Sequence, residues 1–308
     1  MEKRKLGSHS RRQRRDEVRT AIICLAPATV VFAVFNMVPI IWSAVLSLSE
    51  WDGIGTARRF IWLAQYRRLF QTPEFWNSFR VTLFYTVGVT IFGLVVGLAI
   101  ALCLNGNVRA RAFWRSIYFT PAITATVAAG VVWVYLFDPA GGLINLWLRR
   151  VGLRGPAWLT DPFWALVAII IVTVWKRLGL NTVVYLAGLQ GVPEEYYEAV
   201  SVDGGGSWAA FIHVTWPLLA PTTWLLAIMS VIDSFQVFDL VYVMTSGGPM
   251  GSTEVMGLYL YRHAFRLFHL GYASAVGWVM FAFVFVATVL QWRVSGAGGA
   301  SIYGTSSL

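Results

Sequence analysis

The sequence predicts an all-α integral membrane protein that crosses the bilayer six times, and three observations carry that prediction. Hydrophobic residues make up 57% of the 308-residue chain and charged residues only 13%, which excludes an ordinary soluble domain. A helix needs roughly 20 mostly apolar residues to cross a hydrocarbon core of about 30 Å. Six runs meet that requirement, at 20–48, 78–104, 114–137, 163–188, 222–244 and 270–292. Ahead of the first run stand Lys3, Arg4, Lys5, Arg11, Arg12, Arg14, Arg15 and Arg19. A cationic cluster beside a span holds that end at the cytoplasmic face, and six spans return the C-terminus to the same side. The net charge of +9 therefore describes a membrane anchor and not a nucleic-acid surface.

Residues 1–19 form a basic cytoplasmic tail, 20–293 one transmembrane domain, and 294–308 a C-terminal cytoplasmic tail. The first run is long and has no small-residue cleavage site before "SLSEWDG", so it is expected to be a retained helix rather than a signal peptide. Cys24 and Cys103 fall inside spans, where they are expected to be small apolar core residues and not a disulfide or metal framework. Loops near 49–77, 138–162 and 245–269 face outward. They carry turn signals such as "DPAGG" and "TSGGPMGS" and are too short for a separate folded domain.

The inward segment 189–221 contains four acids, three consecutive glycines and no Lys or Arg from residue 194 onward. It reads as two short helices. Pro193 suits a first helical position, Glu194 and Glu195 suit the positive end of the helix dipole, and Gly204 to Gly206 stop the helix after Asp203. Ser207 is expected to cap a second helix that begins at Trp208 and ends before Pro217. Such a pair would expose a rigid acidic knob at the membrane surface.

Here "EAVSVDGG" followed by "FIHVTWPLLAP" resembles the coupling loop of binding-protein-dependent ABC importer permeases, through Glu198, Ala199, Asp203, Gly204, Phe211, Pro217, Leu218, Leu219 and Pro221. Val200 and Gly205 stand where the family usually has Ala, and Val214 and Trp216 where it usually has Ile and Leu. The stretches "FIWLAQYRRLFQTPEFWNSFRVTLFYT", "YLAGLQGVPEEYYEA" and "FQVFDLVYVMTSGGPMGSTEVMGLYLYRHAFRLFHLGYASA" are similar to the maltose-type carbohydrate-uptake branch, from about residue 20 to 293. The resemblance implies the type I importer permease fold, with Glu198, Ala199, Asp203 and Gly204 seated in a cleft of an ATPase. It also implies a second homologous permease subunit, two cytoplasmic ATPases that bind ATP and Mg, and an external solute-binding protein. Its branch carries disaccharides, oligosaccharides, polyols and glycerol phosphates.

Read from the residues alone, the chain has no chemistry of its own for hydrolysis. No GxxxxGK[ST] occurs, and none of the three lysines, Lys3, Lys5 and Lys176, follows a glycine, so a phosphate cradle is missing and no enzyme activity is expected. His9, His213, His263 and His269 are expected in loops or the tail, with no pair to hold haem, and no cofactor is expected in this chain.

Lys176 and Arg177 in the fourth run, and Asp233 and Asp239 in the fifth, are ionisable groups that cost at least about 2.5 kcal/mol each at mid-membrane, so they face protein or water. Arg177, Asn181 and Tyr185 recur every four residues along one stripe, and Asp233, Gln236 and Asp239 span an arc of roughly 120°. Two alternatives stay open. These groups line a solvated translocation path through Arg177, Asn181, Tyr185, Asp233 and Gln236, or Lys176 or Arg177 pairs with Asp233 or Asp239 to fix helix packing. An ion-gradient-driven secondary transporter or channel would use the same groups but would not require the acidic knob.

Overall fold

Two continuous helices, Pro73–Asn105 and Pro162–Gln190, lie side by side and point the same way. Their direction follows from two contacts: Tyr85 Oη lies 3.0 Å from Thr173 Oγ1, and about two turns further on along both helices Asn181 Nδ2 donates to the Gly93 carbonyl at 2.9 Å. Each starts on a proline, whose missing N–H falls among donors that have no intrahelical partner. Asp161 also caps the second of them, accepting from the N–H groups of Phe163 and Trp164 at 2.9 and 3.0 Å. Close contact between them needs Gly97, because a Cβ there would stand 2.7 Å from Cβ of Asn181. The computed structural model describes residues 3–53, 58–106 and 111–299, with side chains from 17 to 294 except those of 111, 112 and 115. The basic side chains of the tail up to Arg15 therefore lie outside the described residues, as does the chain beyond 299.

Two more continuous apolar helices are Glu17–Ser47 and Leu270–Val294, which pack against each other, the second of them also against the fifth span. The remaining two spans are broken. Ser116–Ile123 and Thr126–Leu136 meet at 109°, and Ser207–Leu218 meets Ala220–Phe235 at 59°, so the described residues hold up to six spans, when each bent pair counts as one. The fifth span runs against the second and fourth, since Thr90 Oγ1 lies 2.9 Å from Ser230 Oγ and Tyr185 Oη donates to Thr223 Oγ1 at 3.2 Å. Connections 48–72, 137–161 and 245–269 gather at one end, the cap end. Residues 106 and 191–206 lie at the other, the knob end.

Several expectations are corrected. A fifth helix over 222–244 was expected, but the helix stops at Phe235, unwinds through Gln236, Val237 and Phe238, and restarts as Asp239–Met244. No Pro or Gly marks this break, so the apolar run hides it. The third span breaks at Thr124 and Ala125, just after a turn weakened by Pro121. Ser207 makes no capping bond. Gly206 takes that position, and the helix passes through Pro217 because a wide π-helical turn, Phe211–Thr215, absorbs the ring and the missing N–H. His213 and His263 sit in π-helical turns, the latter in Arg262–Arg266, and not in loops. Cys24 and Cys103 are exposed on the outer faces of their helices rather than buried. The cap end contains short helices Ala64–Gln71, Leu143–Arg150 and Met256–Tyr261, and a two-residue antiparallel pair, Ser49–Glu50 with Arg59–Phe60.

Apolar packing divides along the membrane normal. Toward the cap end, Tyr85, Ile169, Val172, Val241 and Leu258 belong to one buried cluster, joined by Phe137 at the end of the third span. Toward the knob end, Leu98, Ala101, Tyr185, Leu189, Leu219 and Leu226 form another.

Candidate functional site

Between the two apolar clusters lies a layer of polar and small residues. It holds the Thr90–Ser230 and Asn181–Gly93 bonds described above, and two cationic side chains that follow one another on the fourth span. Lys176 Nζ donates to the Thr124 carbonyl at 2.7 Å, at the break of the third span. Arg177 forms an ion pair with Asp233, in the last turn before the break of the fifth. The Thr182 and Ser234 hydroxyls are buried at the same level without a partner among the described residues. The bonded ions and hydroxyls of this layer satisfy one another, as polar groups at membrane depth must.

The polar stripe expected on the fourth span divides in two. Arg177 meets Asp233, whose side chain is 52% exposed, and Gln236 is exposed one turn further on. Asn181 and Tyr185 instead point into packed contacts with the second and fifth spans, at 8% and 1% exposure. Helical periodicity places residues on a stripe, but what covers the stripe is decided by Gly93 and Gly97 on another helix. Asp239 acts as a helix-end residue, its Oδ1 accepting from the Leu240 N–H at 2.8 Å. The Thr124 carbonyl carries no sequence signal because it is a main-chain group, whereas the hydroxyls of Thr90 and Ser230 could have been found as polar residues inside apolar runs.

At the knob end, Glu194–Val202 is a short helix with both N-terminal glutamates in its first turn. It stops in a C-terminal motif in which Gly205 N–H bonds the Val200 carbonyl at 2.8 Å, and Gly204 takes φ +76°, a conformation that favours glycine. Tyr197 Oη lies 3.1 Å from Thr215 Oγ1, which ties the hairpin to the π-helical turn at the start of the fifth span. Glu198, Ala199, Asp203 and Gly204 are all exposed. Beside them project Tyr196, Val202 and Trp208, the last two at 87% and 72% exposure. An acidic surface studded with apolar side chains has the composition of a docking face.

At the cap end, Glu254 is nearly buried and pairs with Arg262 at 2.6 Å. Burial raises its carboxyl above the ordinary range despite the arginine. Burial likewise lowers His263, whose ring lies tilted against that of Tyr259 with centroids 4.2 Å apart and whose Nδ1 donates to the Tyr259 carbonyl, 3.0 Å away.

Six spans, two of them interrupted at mid-depth around a polar layer, with a rigid helical hairpin at one end, define a membrane transport subunit. The family described as the inner membrane component of binding-protein-dependent transport systems matches residues 93–296, and the chain belongs to that family. It is thus a membrane permease component of a binding-protein-dependent transporter. It is 36% identical over 273 residues to the lactose transport system permease protein LacF of Rhizobium radiobacter, covering 87% of this chain and 91% of that protein. To the trehalose/maltose transport system permease protein MalF of Thermococcus litoralis it is 31% identical over 278 residues, covering 90% and 94%. The same fold occurs in a bacterial alginate ABC transporter solved in complex with an alginate pentasaccharide-bound periplasmic protein, with a TM-score of 0.78 at 24% identity over 92% of this chain and 95% of that one.

Proposed function

We propose that this chain is one of two permease subunits of an ATP-driven importer, and that it passes a sugar or sugar-like solute from an external binding protein into the cytoplasm. The observation that carries this is the exposed face of the hairpin formed by Glu194, Glu195, Tyr196, Glu198, Val202 and Asp203, on a hairpin tied directly to a transmembrane helix. Two ATPase subunits would receive it, holding ATP and Mg themselves, and the second permease subunit would be a homologue. The knob end and both termini would then face the cytoplasm from the cell's inner membrane. Relatives named for lactose and for trehalose or maltose support a saccharide cargo over a simple ion. The Arg177, Asp233 and Gln236 side of the polar layer is the candidate path, with Asn181 and Tyr185 supporting it from behind. Affinity purification of the tagged chain from its native membrane should recover an ATPase, and proteoliposomes of that complex should take up solute with ATP and loaded binding protein. Recovery without an ATPase, with uptake driven by an imposed ion gradient, would replace this reading by a secondary transporter.

A further inference from the structure

The second span, Pro73–Asn105, has two faces of unlike composition. Small residues are turned to protein: Gly93 and Gly97 lie against Asn181 of the fourth span. Another face carries Trp76, Arg80, Leu83, Val87, Ile91 and Val95, all exposed and all within about 60° of one line along the helix. Helices that pack on helices inside a bilayer use small residues at the contact, and this face has none. From Leu83 to Val95 it offers bulky apolar side chains over roughly 18 Å, about the depth of one leaflet in a hydrocarbon core of about 30 Å. Such a face suits acyl chains and not a neighbouring helix.

Arg80 interrupts that apolar face. It lies roughly 10 Å along the axis from the first residue of the helix at the cap end, one turn inward of Trp76. Among the described residues its guanidinium has no hydrogen bond and no ion pair. Glu74, the acid in the first turn of the same helix, is turned about 120° away around it. The groove beside Arg80 is lined by Gln71, Trp76, Asn77, Phe79 and Leu83. Two donors there are already engaged, Trp76 Nε1 with the Phe70 carbonyl and Asn77 Nδ2 with the Gly251 carbonyl, each at 2.9 Å. Phe79 closes the wall against Phe283 of the sixth span, with ring centroids 4.5 Å apart. An unpaired arginine at the edge of the hydrocarbon is costly unless its fork reaches an anion, and tryptophan marks the depth at which headgroup phosphates lie. A zwitterionic headgroup brings its own ammonium to compete for the phosphate, whereas a net-negative one leaves the phosphate free for bidentate pairing.

We propose that this groove binds a phospholipid of net negative charge from the leaflet at the cap end. Its phosphate sits on Arg80, and one acyl chain runs along Leu83, Val87, Ile91 and Val95. A lipid held there bridges the second and sixth spans whatever solute the protein carries.

Native mass spectrometry tests this on the full-length chain, purified in detergent with the subunits that accompany it and titrated with phosphatidylglycerol or phosphatidylcholine of identical acyl chains. The wild type should bind its first phosphatidylglycerol roughly fivefold more tightly than phosphatidylcholine. Arg80→Gln should bring that ratio close to one, Arg80→Lys should keep most of it, and Arg154→Gln, an exposed cation elsewhere on the cap, should leave it unchanged. No preference in the wild type, or the same preference in Arg80→Gln, overturns the site. Loss of an accompanying subunit in Arg80→Gln with the lipid preference intact also overturns it, and assigns the guanidinium to a partner's carboxylate. In a second measurement, a photoreactive benzoyl-phenylalanine at Leu83 in a chain that keeps Arg80 should crosslink to phosphatidylglycerol in preference to phosphatidylcholine in mixed vesicles. Equal yields overturn the proposal even where Arg80→Gln fails to fold.

Discussion

The guanidinium of Arg177 on the fourth span pairs with the carboxylate of Asp233 on the fifth, in the last turn before that helix breaks. Removing one member of a buried pair costs about 3 to 5 kcal/mol because the other charge is stranded. Here Asp233 is half exposed, which screens it, so Arg177→Met and Asp233→Asn should each cost less than about 3 kcal/mol. The melting temperature of the purified complex should fall with either change and recover in part when Arg177→Asp is combined with Asp233→Arg. A combined variant no more stable than the singles would mean that each residue acts through some other contact.

Asn181 and Gln236 should separate packing from passage. Asn181→Ala removes the donor to the Gly93 carbonyl inside a helix contact, and Gly97→Ala would press on the same side chain, so each should lower stability by about 1 to 3 kcal/mol. Gln236→Ala, on the exposed side, should leave stability near wild type. A lost neutral hydrogen bond to solute, about 0.5 to 1.5 kcal/mol, would raise KM roughly two- to twelvefold and alter the ranking of related solutes. Equal loss of folded complex in all three variants would assign Gln236 to packing.

Glu198→Ala should leave membrane insertion near normal while lowering uptake and solute-stimulated ATPase activity. The carboxylate is exposed in the middle of an acidic hairpin helix, and the contact it is proposed to make lies on another subunit. Truncating one partner of a charge pair desolvated in an interface costs about 2 to 5 kcal/mol, and a rim pair costs little. Full coupling in the variant would move the decisive contact to Asp203 or to the apolar side chains beside it.

The cap should weaken in mild acid through His263. Burial first, then the nearby His269, Arg262 and Arg68, hold this imidazole below 6.5 against the opposing Tyr259 carbonyl. The fold therefore prefers the neutral ring, and that stability is present above the unfolded value and lost as pH falls through the lower folded one. Glu254 works in the opposite sense: its raised carboxyl burdens the fold when ionised, and the burden lifts as pH falls through the raised value. Melting curves of His263→Phe should decline less than wild type below pH 6.5. A parallel decline would exclude the histidine as the cause.

Cysteines at Met250 and Val202, exposed at 96% and 87%, should react with a membrane-impermeant reagent from opposite faces. In a chain lacking Cys24 and Cys103, Met250→Cys should label in intact cells and Val202→Cys only after permeabilisation. Labelling of both from outside would reverse or break the six-span arrangement.

The number and order of spans were legible because lipid imposes a one-dimensional rule on composition, and the glycine stop at 204 because few other residues take that backbone conformation. The break at 236–238 was not, since Val237 and Phe238 continue an apolar run and unwinding there depends on what packs against it. The ion pair was legible only as a set of candidates: Lys176 and Arg177 are adjacent, and which of them meets Asp233 is decided by a carbonyl on the third span. Asn181 and Tyr185 looked identical to Arg177 on the helical wheel, and only the glycines of the second span explain why they are covered.

The π-helical turn Phe211–Thr215 contains one residue more than an α-helical turn needs. Deleting Ile212, which is exposed there, in a chain that also carries Pro217→Ala, since the wide turn accommodates that proline, should let the turn relax to α geometry while the flanking helices keep the faces they present. A deletion within Ala220–Phe235 has no such slack: it would rotate one flank by about 100° relative to the other and carry Ser230 away from Thr90. The segment joining hairpin to span is therefore a place where chain length can change by one residue without scrambling the contacts on either side.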